Sequence, residues 1–143
     1  MRVVKSFEEY LNEGIVKKIS PDKQRAEDLK IEAKRKYELL KRMIDSLGID
    51  DDTANDYVEF CYDIIMFLIR SHMLNQGFAS SGKGAHEAEV AFARKLGFDE
   101  SEIIILDQLR YFRNRILYYG KRFDKEYAEK IIAFTKTISQ KLK

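Results

Sequence analysis

Tryptophan is absent from this 143-residue chain, and cysteine and proline each occur once. A lone cysteine, Cys61, forms no intramolecular disulfide and no cysteine-based zinc site. It lies in an apolar stretch, where an inert packing role is expected. Long hydrophobic runs are also missing. The longest, Ile64-Ile65-Met66-Phe67-Leu68-Ile69, falls far short of the ~20 residues that a membrane span requires. Residues 1–5 lack the apolar core of a signal peptide, so the expected compartment is the cytoplasm. Nor is there a strong excess of one charge. The formal net charge is +2, so any contact with nucleic acid must come from a local patch.

What the chain does contain is charge of both signs and ordinary apolar content. Charged residues make up 35% and apolar residues 45%, which excludes a disordered chain and resembles the composition of heat-adapted proteins. The length predicts one domain, residues 1–143. Ser6-Phe7-Glu8-Glu9 reads as a capping box that opens a short helix ending near Gly14. Ser20-Pro21 reads as a second start signal. From there Ala26, Leu29, Ala33, Tyr37, Leu40, Ile44 and Leu47 recur at spacings of three and four, which predicts a long helix closed by Gly48. Glu32 with Lys36 and Glu38 with Arg42 are expected to pair on its solvated side.

Residues 57–74 are apolar nearly all round and predict a helix buried at the centre. Residues 77–84 contain G-x-x-x-x-G-K, yet Gly84 stands where a phosphate-binding loop needs Ser or Thr, and an interhelical loop is expected. A helix over 85–96 should turn Ala85, Ala88, Phe92 and Leu96 inward, with Gly97 as its stop. Asp99 with Glu102 opens the next helix, which Gly120 ends, and Asp124 opens the last. No useful stretch alternates with period two. The fold class is therefore all-α, an antiparallel up-and-down bundle of about five helices plus a short N-terminal one.

The helix over 103–119 carries the candidate site. Ile105, Leu109, Phe112 and Ile116 form its expected core stripe, while Asp107, Arg110, Tyr111, Asn114 and Tyr118 should face outward, with Ile103 near them. Arg110, Arg113, Arg115, Lys121 and Arg122 follow one another with no acidic residue between them. Arginine offers bidentate contacts to phosphate, asparagine an amide, and tyrosine a stacking ring. The set Arg110, Arg113, Arg115, Arg122 and Tyr119 is the expected nucleotide- or phosphate-binding group. Exposed aromatic residues on the same side suggest a second copy as partner.

Arg113-Asn114-Arg115-Ile116-Leu117-Tyr118 resembles the R-N-x-x-x-H motif of the HEPN family, the higher eukaryotes and prokaryotes nucleotide-binding domain. The stretches 10–22 and 81–87 resemble small prokaryotic members as well, so the likeness spans nearly the whole chain. It implies a homodimer with two such helices facing each other across a cleft. It also implies a metal-independent ribonuclease or a binding module without a cofactor, in some cases paired with a minimal nucleotidyltransferase antitoxin. Carried over, Arg113 holds the phosphate, Asn114 orients groups, and Tyr118 completes the catalytic set. Tyr118 departs from the motif, because a phenol with a pKa near 10 is a poor base at neutral pH. His86, next to the loop, is the auxiliary candidate for a base. Two readings follow: a module that binds RNA or nucleotide with cleavage impaired or absent, and a ribonuclease.

Overall fold

The computed structural model describes residues 3–143, apart from the side chains of Leu117 and Tyr118. It is an all-α bundle with one small antiparallel β-ladder. The elements are α1 (Phe7–Asn12), β1 (Val16–Lys18), α2 (Lys23–Leu47), α3 (Ala54–Asn75), β2 (Phe78–Ser80), α4 (Ala85–Phe92), a 3-10 turn (Ala93–Leu96), α5 (Glu100–Tyr119) and α6 (Lys125–Lys141). As the apolar content of residues 57–74 requires, α3 is the axis of the molecule. It packs against α2, α4, α5 and α6, and Val58, Cys61, Ile65 and Ile69 on it are fully buried. Among the described residues, no helix is long and apolar enough to cross a membrane.

Both expected capping boxes form. Ser6 and Glu9 close the start of α1, and Asp99 and Glu102 close that of α5. The start of α2 differs from the expectation at Ser20-Pro21. Ile19 N donates to Gly77 O at 2.8 Å and Asp22 N donates to Leu74 O at 3.0 Å. These bonds tie residues 19–22 to the end of α3, so the helix begins only at Lys23. Asp22 is its cap and accepts from Arg25 N at 3.1 Å. Helix α2 buries one face, with Ala26, Ala33 and Leu40 inward. Leu47 is not part of that face and is 65% exposed. The outer charges pair one residue earlier than expected, Glu32 with Arg35 and Glu38 with Lys41. Lys36 turns instead toward Asp63 on α3.

Residues 77–84 are not merely a loop. Val16, Lys17 and Lys18 pair with Ser80, Ala79 and Phe78. Three-residue strands are too short to show a period, and Phe78 at the start of β2 packs against Phe7 and Phe92. The helix expected over 85–96 tightens into the 3-10 turn after Phe92. Its inward face is also wider than expected, since Ala88 through Ala93 are all buried, Glu89 among them.

Candidate functional site

Helix α5 runs as expected, but its buried face is turned by about one residue's rotation, ~100°. Ile103, Leu106, Asp107 and Leu109 are buried. Phe112 and Ile116, expected in the core, are half-buried on a neighbouring side, where Phe112 packs with Phe123 and Tyr127. The expectation failed because it sent every polar residue outward. Asp107 and Arg110 go inward together: Arg110 Nε donates to Asp107 Oδ1 at 2.9 Å, and opposite charges so paired tolerate burial. Arg110 Nη1 also lies 3.8 Å from Glu87 Oε1 on α4. The outward side of α5 carries Ile104, Tyr111, Asn114 and Tyr119.

Arg113, one turn beyond Arg110, crosses toward α3. Its guanidinium lies 5.3 Å from the centre of the Tyr62 ring, and Nη2 is 3.6 Å from Asp63 Oδ1. That separation is an ion pair and not a hydrogen bond. Arg113 Nε is buried with no hydrogen-bond partner among the described residues, although 30% of the side chain remains exposed. The run of basic residues without acids is therefore a property of the sequence only. In space Asp107 and Glu87 face Arg110, Asp63 faces Arg113, and Asp52 lies 3.5 Å from Arg122. Glu59 is close enough to feel Arg113, but burial outweighs that attraction and raises its carboxyl above the ordinary value.

Tyr62 is the hub beneath these groups. Burial, followed by the charge of Glu89, pushes its phenol well up, while Arg110, Arg113 and Arg70 pull the other way. Glu89 is itself an ionised buried carboxylate. Its burial favours the neutral form, but hydrogen bonds from His86 and Arg70 outweigh that and hold it below the usual glutamate range. Arg70 grips it with two bonds, Nε to Oε2 at 2.5 Å and Nη2 to Oε1 at 2.9 Å. His86 Nδ1 lies 3.2 Å from the same Oε1, and the ring is otherwise largely in solvent.

Further along α5 the expected residues separate into two groups. Arg115 stacks between two exposed rings, 5.8 Å from the centre of Tyr111 and 5.2 Å from that of Tyr119. Arg122 lies past the helix end beside Asp52. The side chain of Tyr118 lies outside the described residues. The structure thus pairs Arg110 with Asp107 and Glu87, Arg113 with Asp63 and the Tyr62 ring, and His86 with Glu89, and leaves Asn114, Arg115 and Tyr119 on the outer side.

Arg70, Glu89, Tyr62 and Asp63 were not singled out from the sequence. A signal for two of them exists. Arg70 interrupts the apolar run of α3 and Glu89 interrupts that of α4, and opposite charges inside two buried runs must find each other. No family model, no curated protein and no solved structure matches the chain.

Proposed function

We propose that this chain is a HEPN-like module that binds a nucleotide or RNA phosphate on the α3–α5 side of the bundle, with cleavage impaired or absent. One observation carries this reading. Arg113 has a buried Nε donor without a partner, an ion pair too long for a hydrogen bond, and a partly exposed guanidinium. The Nε donor itself is shut away from solvent, so a phosphate oxygen would meet the exposed part of the same side chain, where a charge-assisted bond is available. Asn114 and Arg115 supply amide and cationic contacts to a strand passing along α5, and the exposed Tyr111 and Tyr119 rings are left for a second copy. In a homodimer the same helix of a second copy would close the cleft. A minimal nucleotidyltransferase is the partner that the family resemblance suggests.

Fluorescence anisotropy with labelled single-stranded RNA tests the reading. Arg113→Ala should raise Kd about tenfold or more, in keeping with the loss of one charge-assisted phosphate contact. An unchanged Kd would remove Arg113 from the site.

The ribonuclease reading draws support from one separate feature, the imidazole of His86 held by a buried carboxylate.

A further inference from the structure

Asp63 on α3 faces two cations that belong to two other helices. Its Oδ1 lies 3.6 Å from Arg113 Nη2 on α5, and its Oδ2 lies 3.7 Å from Lys36 Nζ on α2. Each oxygen answers a different helix, and neither contact is short enough for a hydrogen bond. Both cations also rest against rings of α3. Lys36 Nζ is 4.5 Å from the centre of Phe60, and the Arg113 guanidinium is 5.3 Å from that of Tyr62. Lys36, Asp63 and Arg113 are all partly exposed, so a solute reaches them. Arg70 and Arg110 differ, because Glu89 and Asp107 hold them at hydrogen-bond distance.

A carboxylate between two cations stands where an anionic ligand would. Its two oxygens take the directions that two oxygens of a phosphate would take. Further acid lies close by, Glu59 near Arg113 and Glu32 near Lys36, so positive charge is not in excess. An anion with a single charge therefore gains nothing here over Asp63. A group with two charges does gain, because it attracts both cations more strongly than the carboxylate it replaces. Each internal phosphodiester of an RNA strand carries one charge, whereas a terminal phosphate monoester carries close to two at neutral pH. A resident carboxylate is thus a repulsive element against the first group and one that the second overcomes.

We infer that Lys36 and Arg113 form a clamp for a terminal phosphate monoester, with Asp63 as the built-in anion that this phosphate displaces. The inference rests on the RNA-binding reading above and names the part of the ligand that meets α2, α3 and α5. The end of the strand enters between Lys36 and Arg113, and the rest leaves along α5 past Asn114 and Arg115. Asp63 makes way by turning about its own side-chain bonds, since no short contact with either cation holds it. Lys36 lies on a helix remote from the motif, and packing against α3 is what turns it toward the site.

Titration calorimetry with the full chain and one mixed-sequence single-stranded RNA tests the clamp. The RNA is supplied without a terminal phosphate, with a 5′-phosphate and with a 3′-phosphate. Wild type should bind one phosphorylated form about tenfold more tightly than the unphosphorylated one, and the better form identifies the end. Lys36→Gln should erase that difference, and Lys36→Arg should keep most of it. Lys34→Gln removes the same charge from an exposed position on α2 and should keep all of it. Asp63→Asn should tighten binding of the unphosphorylated RNA, whereas a residue that only ties α3 to its neighbours would weaken it or leave it unchanged. If Asp63→Asn fails to fold, the Lys36 variants decide alone, because that side chain lies at the surface. Equal affinity of wild type for all three forms overturns the clamp and leaves the binding reading standing. A preference that survives Lys36→Gln, or falls equally with Lys34→Gln, overturns it too. Binding to none of the forms sinks the binding reading, and this inference with it.

Discussion

Glu89 holds a charge in a place where charge is expensive, and its two partners explain how. Burial alone would neutralise it, while His86 and Arg70 supply hydrogen bonds that keep it ionised. A carboxyl whose folded pKa lies below the ordinary value of 4.5 adds stability that is fully present above that value. The contribution disappears as the pH falls through the lower folded value. Urea midpoints measured from pH 7 down to pH 3 should therefore fall more steeply for wild type than for Glu89→Gln. Exposed carboxylates such as Glu32 and Glu100 are also held low, but they titrate in both proteins and cancel in the difference. Parallel curves would mean that Glu89 is not the acid-sensitive group. Arg113 is the opposite case at this scale, a cation with a donor to spare.

At the scale of elements, the corner between α3 and β2 decides how the N-terminal segment is fastened. Gly77 adopts φ +83°, and a Cβ there would lie 2.7 Å from Ile19 O, the residue whose amide donates back to Gly77 O. Gly77→Ala should cost about 2 kcal/mol or more, combining left-handed strain with that collision. Gly14, at φ +77°, has nothing within 4 Å of its would-be Cβ, so Gly14→Ala should cost only the strain, about 1 kcal/mol. Thermal unfolding of the two variants separates the terms, and equal losses would show that the corner yields. The same fastening explains why α2 begins at Lys23 and not at Pro21. Helix α5 shows the converse, an element whose limits follow from local caps and whose rotation follows from its neighbours.

For the whole molecule, the outer side of α5 bears on assembly. Ile104 is 54% exposed, Tyr111 45% and Tyr119 75%, a line of large apolar groups that the bundle does not cover. With the cleft we propose, a second copy covers that line, and light scattering at micromolar concentration should give the mass of a dimer near twice 16.8 kDa. Tyr111→Glu should return it to a monomer with the helical circular dichroism unchanged. A monomeric wild type would remove the shared cleft, while RNA binding to one copy would stand or fall on the Arg113 measurement.

The sequence by itself determined the elements that rest on local chemistry. Capping pairs at Ser6 and Asp99, glycine stops at Gly48, Gly97 and Gly120, and the apolar content of α3 act within a few residues, and all took effect as read. The all-α bundle follows from them. Tertiary structure decided everything that depends on a distant partner. It brought Glu87, Asp63 and Asp52 from distant parts of the chain to Arg110, Arg113 and Arg122, and it paired two strands too short to have a period. It also turned Asp107 and Arg110 inward, because mutual neutralisation lets a polar pair occupy an interior that each residue alone would avoid. The candidate site was thus half legible. The arginines could be read along one helix, whereas Tyr62, Arg70 and Glu89 acquire their roles only once α3, α4 and α5 are packed together.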